Sequence, residues 1–68
     1  MNQEELEKYR KKTDKKILEE YEHWRSYITY GYDKDALDRY NELILKGLSP
    51  EEASHQAIEE DIANRKNA

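Results

Sequence analysis

Two histidines, His23 and His55, three serines and sixteen carboxylates are the side chains of this 68-residue chain that could carry acid–base or nucleophilic chemistry; it has no cysteine. A nucleophile needs a base within hydrogen-bond reach, and that base needs a group to orient it. Neither histidine has such company. His23 lies two residues from Tyr21 on one predicted helix, and residues two apart on a helix do not face each other. His55 falls one turn from Ile58, at the edge of an apolar stripe. With sixteen carboxylates in so short a chain some will lie close together by chance, so a working acid and base is not implied without a pocket. The expectation is a non-enzymatic protein with no catalytic, cofactor-binding or metal-ligating residue.

Tyrosine placement says more. The stretch from Ile17 to Tyr30 holds the single tryptophan and three of the six tyrosines. At about 100° per residue, Ile17, Tyr21, Trp24 and Ile28 share a narrow arc, the expected centre of the core. Trp24→Ala is then expected to be the most damaging single change, at about 3–5 kcal/mol. Tyr27 flanks the arc, Tyr30 points nearly opposite Ile17, and Tyr32 falls in the following turn. Aromatic side chains left at a surface are favoured binding anchors, because they offer large area at small entropic cost. Leu18 and Leu45 also lie off the main stripes of their helices. The expected protein-binding surface is therefore Tyr27, Tyr30, Tyr32, Leu18 and Leu45, at the end of the molecule where the first helix turns into the second.

Charge offers a rival. Lys8, Arg10, Lys11, Lys12, Lys15 and Lys16 form a dense basic block interrupted by Asp14. Such a block could hold phosphates, with Tyr9 as a stacking group. A plain alternative is a solvated helix face with Glu4–Lys8, Glu7–Lys11 and Lys15–Glu19 pairs four residues apart. A helix-turn-helix reading fails, since the would-be recognition helix from Pro50 to Ile62 carries five acids and no base, which phosphates would repel. The net charge of −4 lies wholly in residues 33–68. Glu51, Glu52, Glu59, Glu60 and Asp61 are spread around their helix rather than lined along one side, which weakens any reading as a nucleic-acid mimic.

The elements that must position these residues are helices. Residues 3–30 contain neither Pro nor Gly and are rich in good helix formers, which predicts one long helix of about 42 Å at 1.5 Å per residue, stopped by Gly31 in the left-handed C′ conformation. A second helix over about 34–46 starts behind Asp33 or Asp35 and is closed by Gly47. Ser49, Pro50 and Glu52 make a strong start signal for a third over about 50–65, with Ala57, Ile58 and Ile62 as its thin apolar face. The predicted fold is all-α, a small antiparallel three-helix bundle in a single domain spanning 1–68. Residues 1–15 would project as a helical overhang of roughly 20 Å, frayed or paired with a second copy.

Leu and Ile together fill 11 of 68 positions, so stability should be modest for a chain with no disulfide or metal staple. The longest aliphatic run, Leu43-Ile44-Leu45, is far too short to span a membrane, and the first twelve residues lack the apolar stretch of a signal peptide. The combined expectation is a cytoplasmic protein that binds another protein as a regulator, adaptor or inhibitor, of the sort small accessory proteins of bacteria and their phages provide. Self-association through the first helix is a further partner expectation, and nucleic-acid binding through the basic block is the rival function.

Overall fold

A computed structural model describes residues 3–66 as four helices. They are α1 (Gln3–Lys12), α2 (Lys15–Gly31), α3 (Lys34–Leu45) and α4 (Pro50–Lys66), with no strand among the described residues. The all-α class is as expected, but the three-helix bundle with a continuous first helix is not what forms. The chain breaks at Thr13-Asp14 because Asp14 acts as an N-cap. Its carboxylate accepts from the Lys16 backbone N–H at 3.3 Å, and its carbonyl receives the first α2 bond from Leu18 N at 2.9 Å. A short acceptor side chain in the extended conformation satisfies donors that a helix start leaves unpaired.

The break lets α1 fold back. Tyr9 packs edge-on against Tyr21 with ring centroids 5.5 Å apart, Arg10 pairs with Glu22 at 3.0 Å, and α1 lies against α3. The unsupported overhang that motivated pairing with a second copy is therefore absent over residues 3–12; Met1 and Asn2 lie outside the described residues.

The other boundaries follow their local chemistry. Gly31 is the last residue of α2 rather than a left-handed cap, and the helix stops because Tyr32 turns to extended backbone (φ −139°, ψ 173°). Gly47 does adopt the left-handed conformation, at φ 107°. A Cβ there would meet nothing within 4 Å, so glycine is needed for its backbone freedom and not for space. Ser49 Oγ accepts from Glu52 N at 3.3 Å, the expected cap of α4. The helix runs to Lys66, and residues 67 and 68 lie outside the described residues.

At the centre, Tyr21 and Tyr40 are stacked at 5.5 Å with an interplanar angle of 14°, both almost wholly buried. Tyr21 donates from its hydroxyl to Asn41 Oδ1 at 2.7 Å, and Tyr40 donates to the Tyr21 carbonyl at 2.9 Å. Ile28, Ala36, Leu43, Ile44, Ala53 and Ala57 complete the core. The expected arc on α2 is thus half right. Tyr21 and Ile28 are buried, Trp24 is only partly buried against the core, and Ile17 is 42% exposed. On α4 the expected Ala57 is buried and Ile58 packs against the core, and burial extends to residues the apolar pattern did not announce, Ala53 and Ser54. Ala53, Ser54 and Ala57 face inward while Ile62 is largely exposed, because small side chains let α4 lie close against α2 and α3.

Asp33 at the start of α3 meets Arg65 at the end of α4 at 3.2 Å, and Arg39 meets Glu60 at 3.1 Å, so these helices run antiparallel. With only Tyr32 and Asp33 between α2 and α3, the contacts of Tyr21 with Tyr40 and Asn41, far from that turn on both helices, require the same of this pair.

Two expectations test this arrangement. Asp14→Ala should cost about 1 kcal/mol, and in hydrogen exchange the amides of α1 should lose protection before those of α3; uniform loss across all helices would show that the break does not depend on the cap. Burial pushes the phenols of Tyr9, Tyr21 and Tyr40 above their ordinary value of 10.0. Their stabilisation is therefore complete below pH of about 10, and is lost as rising pH ionises the unfolded phenols while the folded ones stay neutral. The melting temperature should hold steady to about pH 9 and then fall. Tyr40→Phe should be about 1 kcal/mol less stable near neutrality, yet show a shallower alkaline fall; identical slopes in the two proteins would exclude Tyr40 as a contributor.

Candidate functional site

Trp24 and Tyr27 stand three residues apart on α2, which places them one turn from each other on the same side. Their rings meet edge-on at 5.8 Å. Tyr32 continues the row. Because the backbone turns extended there, its ring comes back beside Tyr27 at 6.0 Å rather than following the helix. At the other end α4 contributes His55, edge-on to Trp24 at 5.7 Å, and His23 touches Trp24 from within α2 at 5.4 Å. The result is a row of four rings, His55, Trp24, Tyr27 and Tyr32, laid along the junction of α2 and α4.

The row is anchored below and open above. Trp24 and Tyr32 pack on the core, Tyr27 is 51% exposed, and Tyr30 stands almost free at 92%. Tyr27 and Tyr30 share a shallow depression with His23, Ser26 and Gly31. Of the residues expected to bind, Tyr27, Tyr30 and Tyr32 thus sit together at one end of α2. Leu18 does not join them, being partly buried against the core, and Leu45 is partly buried on α3. Trp24, His23 and His55 were assigned to core or rim by helical spacing alone. Only the packing of α4 beside α2 reveals that Trp24 and His55 are neighbours.

Charges are sorted by the same packing. Glu60 is taken up by Arg39, and the buried Asp61 holds Arg65 at 3.2 Å in a charge contact that lacks hydrogen-bond geometry. Glu51, Glu52 and Glu59 make no ion pair among the described residues, and all three line one surface depression with His55 and Gln56. These acids are therefore less evenly spread than the helix alone implied. In the basic block, Arg10 is committed to Glu22 and lies 5.9 Å over the Tyr21 ring. Lys8, Lys11, Lys12, Lys15 and Lys16 are exposed without an ion pair, the last four flanking the turn between α1 and α2. The expected Glu4–Lys8, Glu7–Lys11 and Lys15–Glu19 pairs do not form. No group of three His, Asp or Glu among the described residues could hold a metal ion, and no helix among them is long and apolar enough to cross a membrane.

No family model matches this chain, and neither a curated protein nor a solved structure matches it. The chemistry of the surface itself carries the functional reading.

The revised burial changes which substitution should hurt most. Tyr40→Ala, in the enclosed centre, should cost about 3–5 kcal/mol, Trp24→Ala should cost distinctly less, and Tyr30→Ala should stay within about 0.5 kcal/mol of the parent. Urea denaturation of the three variants checks the order. A Trp24→Ala protein less stable than Tyr40→Ala would return Trp24 to the centre of the core.

Proposed function

We propose that the protein is a non-enzymatic binding module, a cytoplasmic regulator, adaptor or inhibitor of another protein, acting through the aromatic row and Tyr30. The observation that carries this reading is the pair of exposed tyrosines, Tyr27 and Tyr30, held on a helix whose inward side supplies Tyr21 and Ile28 to the core. Anchors of this kind are effective because the helix fixes them before the partner arrives, and two χ angles are all that remain to be ordered. Tryptophan and tyrosine are also the residue types that dominate measured interface energies. A soluble enzyme would need convergent polar groups in an enclosed cleft, whereas here the rings lie on an open face.

A second reading, nucleic-acid binding, is favoured by one observation, the four unpaired lysines around the turn between α1 and α2. It ranks lower because the block has lost Arg10 to Glu22 and has no exposed aromatic beside it; Tyr9 is turned onto Tyr21.

Capture of a partner from a native extract on the immobilised full chain, followed by affinity measurement, tests the main reading. Tyr30→Ala should weaken that partner by about 2 kcal/mol or more, roughly thirtyfold, with an unchanged melting curve. If Tyr27→Ala and Tyr30→Ala both bind normally while Lys11→Glu with Lys15→Glu abolishes binding, the site is the lysine corner.

A further inference from the structure

Resting on that reading, we infer that the partner presents a basic segment, and that its Lys or Arg side chains lie along the row of Trp24, Tyr27 and His55 with their charges directed to Glu51, Glu52 and Glu59. The inference starts from the rings. An aromatic face carries negative potential, so a cation placed over it is attracted, most strongly by tryptophan. Arginine and lysine also bring long apolar stems, which suit a ledge whose aromatic area is left at the surface.

Charge then selects among possible occupants. His55 belongs both to the ring row, through its 5.7 Å contact with Trp24, and to the depression lined by Glu51, Glu52 and Glu59. It therefore joins the aromatic ledge to three carboxylates that no cation in the described residues neutralises. Arg25, next to Trp24 in sequence, is already paired with Glu22 at 3.9 Å, and Arg65 is paired with Asp33 and Asp61 at 3.2 Å each, so neither is paired with Glu51, Glu52 or Glu59. An acidic or phosphate-bearing partner would have to bring like charges against this surface, whereas a basic segment would complete it. Such a segment needs no groove, because the carboxylates on α4 and the rings on the α2–α4 junction meet at His55.

The single tryptophan supplies the readout. A synthetic nine-residue peptide alternating Arg and Ala, titrated into the full-length protein, should alter Trp24 emission saturably, and affinity should fall at least tenfold when salt is raised from about 0.01 M to several hundred millimolar, as the Debye length shrinks from about 30 Å to less than about 8 Å. Glu51→Gln with Glu52→Gln and Glu59→Gln should weaken the peptide at least tenfold. The same loss of three charges elsewhere, in Glu5→Gln with Glu7→Gln and Asp38→Asn, should change affinity less than threefold. Tyr27→Leu, which keeps apolar area at a half-exposed position, should also weaken the peptide at least threefold if the ring face is used.

Equal weakening by both charge sets, or no effect of Tyr27→Leu, would reduce the binding to general electrostatic attraction and overturn the inference. Tight binding of a matching Glu-Ala peptide or of duplex DNA in place of the Arg-Ala peptide would overturn it too. Failure of this inference alone is distinct from failure of the partner reading, in which Tyr27→Ala and Tyr30→Ala both bind the extract partner normally. An extract partner lost with Tyr30→Ala but indifferent to salt and to the Glu51, Glu52 and Glu59 substitutions would leave a binding surface in place and remove only its basic ligand.

Discussion

The stacked pair of Tyr21 and Tyr40 is the interaction on which the rest of the molecule depends. Two phenols can fill the centre of so small a protein only if their hydroxyls are satisfied, since a buried hydroxyl without a partner costs on the order of 1–3 kcal/mol. Asn41 accepts from one and the Tyr21 carbonyl accepts from the other. This explains a buried asparagine on a helix otherwise lined by Leu43 and Ile44. It also fixes the register of α2 against α3, because the hydroxyl of Tyr40 reaches the Tyr21 carbonyl at one setting of the two helices. Tyr9 then covers the exposed edge of Tyr21, and α1 is held where it is by that contact and by Arg10.

Poverty of aliphatic side chains shapes the other side of the bundle. With few Leu and Ile to spend, α4 buries Ala53, Ser54 and Ala57 and approaches closely instead of interposing bulk. Ser54 remains satisfied by donating to the Glu51 carbonyl at 2.8 Å. Close approach of α4 to α2 is in turn what brings His55 onto Trp24. The surface row is thus a consequence of how the core is packed, and its rings are held from below by the same contacts that stabilise the fold.

Ion pairs divide the surface into committed and uncommitted charge. Arg39 binds Glu60 through Nε and Glu42 through Nη1 at 3.3 Å, while Arg65 ties the start of α3 to the end of α4. Exposed pairs of this kind add little stability individually, but they remove those groups from the set free to meet a partner. What is left is a cationic corner at the turn between α1 and α2 and an anionic face on α4 beside the aromatic row. A near-balanced composition conceals that separation.

Helix content, the start of α4 at Pro50, the glycine turn at 47 and the inward positions of Tyr21 and Ile28 were all legible in the chain, because each depends on neighbours within one or two turns. The outward placing of Tyr27 and Tyr30 was legible for the same reason. The break at Asp14 was present as a capping signal, but an uninterrupted run of helix formers on both sides hid it; a local cap wins there only because Tyr9 and Arg10 gain contacts once α1 folds back. Trp24 and Ile17 were misplaced because periodicity tells which side of a helix is apolar, not how far along it a neighbour extends. The pairing of Trp24 with His55, and the sorting of Glu60 from Glu51, Glu52 and Glu59 by Arg39, depend on residues that are distant in the chain meeting across a helix interface. Only the tertiary structure decides those, since they are set by the approach of α4 to α2 and by which cation each carboxylate can reach.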